Sequence, residues 1–146
     1  MAEFLTRNYN VAIPEVDIGD DLLIISDITA TTFRRIQVKT ATGKQKGKDK
    51  IAALFKVPIV QLKTGTQPDL TYIFVARFAE RWLPFVVINR DELLDYVESK
   101  GVGRKITEKS KELRLLTIEY SADSQTSQCS SVPLTQFHNR FPDFVG

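Results

Sequence analysis

The chain has 146 residues, of which 42% are hydrophobic and 26% are charged, and its formal net charge is +2. These values fit one globular domain with its own hydrophobic core and exclude a wholly disordered chain. Cys129 is the single cysteine, which excludes an internal disulfide, and no apolar run approaches the roughly 20 residues that span a bilayer. We therefore expect no membrane association and a reducing compartment, the cytoplasm.

Charge is distributed unevenly along the first half of the chain. Residues 1–33 carry six acids and one base, whereas residues 34–63 carry nine bases and one acid. An acidic stretch beside a basic one fits two solvated faces, and it equally fits a metal-binding edge beside a phosphate-binding edge. Composition alone leaves both interpretations open.

Hydrophobic periodicity and turn residues predict the elements in chain order. The first half contains a short helix, three strands, a basic loop and a fourth strand, at residues 3–8, 9–13, 21–25, 33–40, 42–50 and 57–63. The second half contains two strands, a helix, a strand, a mobile loop and a closing helix, at residues 72–78, 85–88, 90–100, 113–120, 121–131 and 134–141. This order predicts one mixed α/β domain over residues 1–146, with a central sheet flanked by helices.

The second and third predicted strands form a hairpin that carries three polar side chains at one end. A turn centred on residues 29–30 places Asp21 opposite residues 37–39. Gln37 and Lys39 share one face of their strand because strand side chains alternate with period 2. We therefore expect one carboxylate, one amide and one ammonium to meet at this end of the hairpin.

This trio suits the metal-dependent hydrolysis of a phosphodiester. A carboxylate binds Mg²⁺ or Mn²⁺, which prefer oxygen ligands, and the Gln37 amide oxygen or the Val38 peptide carbonyl can add a second ligand. A bound metal lowers the pKa of water and neutralises charge on the phosphate. Lys39 can orient or deprotonate that water, or stabilise the transition-state charge. The alternative is that Asp21 caps a strand and Lys39 is a solvated edge residue.

The arrangement resembles the PD-(D/E)XK nuclease superfamily, in the variants that have Gln-x-Lys in place of Glu-x-Lys. Mrr-type restriction endonucleases and Holliday-junction resolvases belong to that superfamily. The motif-bearing stretch runs over residues 2–41 and includes Arg7 to Pro14, Gly19 to Leu22 and Ile36 to Thr40. The resemblance implies a restriction-endonuclease-like fold in which Asp21 binds the metal, Gln37 fills the second motif position and Lys39 is the catalytic lysine.

Members of the superfamily also carry a glutamate on the first helix, which often completes the metal site. In this chain Glu3 is the candidate within that segment. Glu15 or Asp17 is the alternative ligand, and without any of the three the metal site is incomplete.

Four lysines follow the proposed catalytic strand directly, at Lys44, Lys46, Lys48 and Lys50. We expect them to contact nucleic-acid phosphates beside the site, with an affinity that depends on salt and not on sequence. The alternative is a solvated basic loop, which is common in proteins.

The leading functional prediction is an Mg²⁺- or Mn²⁺-dependent endonuclease that acts on nucleic acid, in particular DNA. The alternative is a non-catalytic module of the same fold that binds nucleic acid or a partner protein. A purely structural module is expected if Asp21 and Lys39 prove distant in space.

An aromatic-rich segment bears on the oligomeric state of the protein. It contains Tyr72, Phe74, Phe78, Trp82 and Phe85. The first three share strand parity, which predicts a core face, and the alternative is a platform on which nucleic-acid bases stack. Exposed aromatics here would better indicate a homodimer interface. The lone His138 is expected to have a surface or packing role, and Cys129 is expected in a polar loop without a catalytic role.

Overall fold

A computed structural model describes residues 1–7, 9–13, 21–25 and 33–141 of the chain. Within these ranges 52% of the residues are in strands and 18% are in helices. The protein is therefore mostly β. The prediction of a mixed α/β, restriction-endonuclease-like domain with a central sheet flanked by helices is wrong.

The elements of the described ranges are, in chain order, α1 (Ala2–Leu5), β1 (Asn10–Ala12), β2 (Leu22–Ile25), β3 (Phe33–Thr42), β4 (Lys44–Lys46), β5 (Lys50–Pro58), α2 (Ile59–Lys63), β6 (Leu70–Phe78), β7 (Arg81–Trp82), β8 (Val86–Asn89), α3 (Arg90–Lys100), β9 (Arg104–Glu108), β10 (Lys111–Ser121), β11 (Ser127–Cys129), β12 (Val132–Pro133) and a 3₁₀ turn (Thr135–Phe137). These strands form two sheets of six strands each.

The first sheet holds the predicted site. Its strand order is β1-β2-β3-β6-β7, and β8 also pairs with β6. The predicted antiparallel pairing of β2 with β3 is confirmed, with Leu22 opposite Ile36, and the turn predicted at residues 29–30 lies outside the described residues. β3 and β6 run parallel, and Gln37 lies opposite Tyr72. The second sheet has the order β12-β11-β10-β5-β4, with β9 on β10, and all of its pairs are antiparallel.

Two hydrophobic cores lie on opposite faces of the first sheet. The larger core joins both sheets and includes Ala53, Phe55 and Val57 of β5 and Tyr72, Phe74 and Ala76 of β6. The smaller core contains Phe4 from α1 with Leu22, Ile24, Ile36, Ile73, Val87 and Phe141. Because Ile36 and Val38 face this smaller core, the intervening side chains of β3 face the side of the second sheet and α2.

A second sheet takes the place of the predicted helical layer because several segments that look like loops pair with distant strands. Residues 42–50, predicted as a basic loop, contain β4 and the start of β5, with Lys46 opposite Lys50. The predicted loop at residues 121–131 contains β11, in which Cys129 pairs with Ile118 and is only 1% exposed. Local polarity predicts a loop at both places, but pairing across the sheet overrides it.

Helix α3 has the bounds that the sequence predicts, because its end signals are local. The Glu92 carboxylate accepts a hydrogen bond from the Asn89 N–H (3.4 Å), and Gly101 ends the helix in the left-handed region at φ 68°. The closing helix predicted at residues 134–141 is reduced to one 3₁₀ turn. No helix of the described ranges is long and apolar enough to cross a membrane.

Candidate active site

The register of β2 on β3 places Asp21 directly beside the first of the two motif residues. The Asp21 N–H donates to the Ile36 carbonyl (2.9 Å), so the chain is already aligned with β3 at this residue. Oδ2 of Asp21 then accepts two hydrogen bonds, from Nε2 of Gln37 (2.7 Å) and from the N–H of Val38 (2.6 Å). One carboxylate oxygen therefore fixes both the side chain and the backbone of the motif strand.

The hydrogen bonds continue inward from Gln37 to the core. Oε1 of Gln37 accepts a hydrogen bond from Nε2 of Gln61 on α2 (3.2 Å), and Oε1 of Gln61 accepts one from the hydroxyl of Tyr72 on β6 (3.0 Å). We call Tyr72, Gln61, Gln37 and Asp21 the polar chain. Every donor in it points towards Asp21, so each group fixes the orientation of the next one along the chain.

Two members of the polar chain, Tyr72 and Gln37, lie out of solvent, whereas Asp21 at its outer end is exposed. Tyr72 is 0% exposed and Gln37 is 8% exposed. Buried amides and hydroxyls lose stability when they lack partners, and here each is satisfied by the next group. The chain therefore holds the Gln37 amide in one orientation beside Asp21.

Lys39 lies two residues beyond Gln37 on the same face of β3, and it is half-buried. Desolvation by burial lowers the pKa of its ammonium, and the nearby Asp21 charge opposes that shift in part. Its Nζ makes no hydrogen bond to the part of the chain that the structure describes. A lysine with a lowered pKa and an unengaged amine beside a carboxylate suits water positioning or proton transfer.

Among the described residues, Asp21 supplies one carboxylate to this end of β3. Mg²⁺ usually binds through one or two carboxylates, together with waters and substrate phosphates. Within the described ranges, Oδ1 of Asp21 accepts no hydrogen bond, and the Val38 carbonyl lies on the same strand edge as the Val38 N–H that meets Asp21. Gln37 contacts Asp21 through nitrogen, and its oxygen accepts from Gln61. In this arrangement the amide nitrogen of Gln37 orients Asp21. The amide oxygen of Gln37 does not face a ligand that Asp21 would bind.

Among the residues that the structure describes, no cluster of acids surrounds Asp21. No group of three or more His, Cys, Asp and Glu residues among the described positions could hold a metal ion. Glu3 of α1 pairs with Arg7 (2.6 Å), which follows the helix. Its neighbour Phe4 belongs to the smaller core, on the other face of the sheet from Gln37. Glu15, together with Asp17, lies outside the described residues.

The four lysines that follow β3 lie on the β4–β5 hairpin. Lys46 and Lys50 both pair with Glu119 of β10, and Lys44 and Lys48 are exposed. These pairs lower the pKa of Glu119 to about 2, so its charge offsets part of the basic surface at neutral pH. The hairpin begins five residues beyond Lys39, at a distance of roughly 16 Å along an extended strand.

Sequence reasoning missed two members of the polar chain, Gln61 and Tyr72. The prediction of a strand at residues 57–63 is wrong over Ile59–Lys63, which form the helix α2. This helix turns Gln61 towards β3, where it contacts Gln37. Strand parity predicted Tyr72 as a core residue, and it is one. The hydroxyl of Tyr72 could have indicated the polar chain, because a buried tyrosine needs a hydrogen-bond partner.

The remaining candidate residues lie elsewhere. Nε2 of His138 is 2.7 Å from Oγ of the buried Ser127, and burial lowers the pKa of the imidazole. Trp82 is 60% exposed on β7, with the Arg77 guanidinium 5.7 Å from its ring, whereas Tyr72 and Phe74 are buried in the larger core.

Comparison with known proteins provides no family for this chain. No family model matches it, and no curated protein or solved structure is significantly similar to it. The functional argument therefore depends on the geometry of the polar chain and Lys39.

Proposed function

We propose that the protein hydrolyses phosphodiester bonds of nucleic acid, in particular DNA, with Mg²⁺ or Mn²⁺. The observation that carries the proposal is the contact of Oδ2 of Asp21 with Gln37 and Val38, beside a half-buried Lys39 whose pKa is lowered. The residue types and their spacing resemble those of the Gln-x-Lys variants of PD-(D/E)XK nucleases. The proposal concerns the nuclease activity only and does not include the fold of that superfamily.

Each residue has a role that follows from its position. Asp21 would hold the cation with Oδ1, and the Val38 carbonyl would add a second oxygen. The bound cation supplies a more acidic water and offsets phosphate charge. Lys39 would orient the attacking water, accept its proton or stabilise the developing charge. Gln37 would keep Asp21 in place, and the exposed Lys44 and Lys48 would contact phosphates farther along the strand.

A second candidate is a module that binds nucleic acid or a partner protein, including a second copy of itself, without catalysis. The observation that favours it is the lack of an acidic cluster near Asp21 within the described ranges. For either candidate we propose a reducing compartment such as the cytoplasm, because the single cysteine is a buried free thiol.

The test is cleavage of plasmid and single-stranded DNA with Mg²⁺ or Mn²⁺. Asp21→Asn and Lys39→Met keep the size of each side chain and remove its charge, and we expect each to lower the rate at least about 100-fold. Asp91→Asn and Lys111→Met make the same changes at exposed positions. These controls should cut at the wild-type rate.

Two other results would count against the nuclease proposal. If the clean wild-type protein binds DNA but cuts neither substrate with either metal, the binding module becomes the better account. If cleavage survives in both Asp21→Asn and Lys39→Met, the activity belongs to another site and the proposed roles are wrong.

A further inference from the structure

One face of the second sheet is directed away from the larger core. Ala53, Phe55 and Val57 of β5 point into that core, so the alternate residues of β5 lie on the other side of the sheet, which we call the outer face. Leu54 lies at the centre of the outer face and is 52% exposed, and Lys56 beside it is exposed as well. The centre of the outer face is therefore open to solvent.

The outer face carries a large excess of positive charge. Residues that lie opposite each other on paired strands share a face, so the registers of β4, β9 and β10 extend the outer face from β5 to these strands. Its charged residues are six bases and two acids, namely Lys44, Lys46, Lys50, Lys56, Arg104 and Lys111 with Glu108 and Glu119. The net charge of the whole chain is only +2, so the rest of the chain carries more acids than bases. The positive charge of the protein is thus concentrated on this face.

Ion pairs offset only part of this charge. Both acids of the outer face pair with lysines of the same face. Lys44, Arg104 and Lys111 are exposed and make no ion pair within the ranges that the structure describes. These three cations are therefore available to an anionic partner.

The three unpaired cations are spread along the length of β10. Lys44 lies in the same row of the sheet as Glu119 of β10. Arg104 lies opposite Leu115, four residues back along β10, and Lys111 lies four residues farther back. Four residues of a strand span roughly 14 Å, so Lys44 and Lys111 are separated by roughly 27 Å in the direction of β10. A small anion can contact only one of these cations, whereas a linear polyanion can contact all three.

The chemistry of the outer face favours the backbone of nucleic acid over other polyanionic surfaces. A duplex carries one negative charge per roughly 1.7 Å of its axis, so it presents phosphates along the whole length of the face. The strand positions of the face hold no aromatic residue on which a base could stack. Leu54 is the one large aliphatic residue among them that is mostly exposed, which leaves little apolar surface for a membrane to bury.

We propose that the outer face binds the phosphate backbone of nucleic acid without regard to its sequence. This inference rests on the proposed function, in which Lys44 and Lys48 of the β4–β5 hairpin contact phosphates. It extends the contact across the second sheet to Arg104 and Lys111. The outer face would hold a long substrate, while residues of the first sheet act on it.

The experiment measures DNA binding without a divalent metal, so that cleavage does not interfere. Fluorescence anisotropy gives the affinity for a labelled duplex over a titration of salt. Replacing both Arg104 and Lys111 by Gln should weaken binding at least about 10-fold and reduce the slope of log affinity against log salt by about 2, one for each lost phosphate contact. Replacing Lys63 and Lys100 by Gln removes two exposed charges at the ends of α2 and α3, and should leave the affinity and the slope nearly unchanged.

Leu54 provides a second test at the centre of the outer face. Leu54→Glu places a negative charge among the lysines, whereas Leu54→Gln introduces a polar side chain of similar size without a charge. Both variants should fold, because Leu54 is half-exposed. We expect Leu54→Glu to bind the duplex at least about 5-fold more weakly than Leu54→Gln. Equal affinities of the two variants would contradict the proposal.

Three other results would overturn the phosphate-binding face. The first is wild-type affinity of the Arg104→Gln, Lys111→Gln protein for DNA, and the second is an equal loss in the Lys63→Gln, Lys100→Gln protein. The third is a defect of the Arg104→Gln, Lys111→Gln protein that appears only with vesicles of phosphatidylcholine and phosphatidylserine, because the face would then bind a membrane surface.

The two proposals also fail separately. Metal-dependent cleavage by the wild-type protein, with normal DNA binding by the Arg104→Gln, Lys111→Gln protein, would remove the phosphate-binding face and keep the nuclease. DNA binding that needs Arg104 and Lys111, without metal-dependent cleavage by the wild-type protein, would remove the nuclease and keep the phosphate-binding face.

Discussion

Replacing Tyr72 by Phe removes one atom from the inner end of the polar chain. The hydroxyl of Tyr72 donates to Gln61 at 3.0 Å, and burial raises the pKa of Tyr72 well above its ordinary value, so the group stays protonated. The ring is 0% exposed and stacks on Phe74 at a centroid distance of 5.9 Å. Because Phe keeps that packing, the substitution changes hydrogen bonding and little else.

The lost hydrogen bond sets the size of the expected effect. Leaving Oε1 of Gln61 without this donor should lower the free energy of unfolding by about 1–2 kcal/mol. For a domain of this size that corresponds to a fall in Tm of about 3–6 °C. Gln61 then holds Gln37 less firmly beside Asp21, and we expect metal-dependent cleavage to fall about 10-fold, as is usual when a group that orients a metal ligand is removed.

Tyr120→Phe is the matched control. Tyr120 is also 0% exposed, and its hydroxyl donates to the Pro84 carbonyl (3.3 Å), outside the polar chain. Thermal unfolding followed by circular dichroism should show a similar loss of stability in both variants, whereas initial cleavage rates over a Mn²⁺ titration should fall only in Tyr72→Phe. Equal rate losses in the two variants, or an unchanged rate in Tyr72→Phe, would refute the positioning role of the polar chain.

Two further predictions concern stability. Gly103→Ala should lower the free energy of unfolding by at least about 3 kcal/mol, because φ is +73° and a Cβ there would lie 2.6–2.7 Å from atoms of β10. Gly47 has a similar φ of +67° but open space around it, so Gly47→Ala should lower the free energy of unfolding by about 1–2 kcal/mol. Urea unfolding of the two variants measures this difference. The pKa of Glu119 is lowered to about 2 from 4.5, so its pairs with Lys46 and Lys50 stabilise the fold above pH 4.5, and that contribution is lost as the pH falls towards 2. Glu119→Gln should therefore weaken the dependence of the free energy of unfolding on pH between about pH 4.5 and pH 2. An unchanged pH dependence in this range would contradict this account.

Local patterns in the sequence determined the part of the site that lies within one hairpin. Period-2 alternation placed Gln37 and Lys39 on one face, and the short connection between β2 and β3 placed Asp21 opposite Gln37. The bounds of α3 were also predictable, because Asn89, Glu92 and Gly101 act on the backbone within a few residues. In these places, neighbours in sequence are also neighbours in space.

Only the tertiary structure decided the rest. Gln61 lies on α2, 24 residues beyond Gln37 in the sequence. Tyr72 lies on β6, 11 residues beyond Gln61. Lys46 and Lys50 lie 73 and 69 residues from the Glu119 that pairs with them, so a segment that looks like a basic loop is one edge of a sheet. The helical layer, which the order of the predicted elements and the family resemblance led us to expect, is replaced by this second sheet. Pairing between distant strands depends on which apolar faces can be buried together, and residue order within each strand carries little information about that choice.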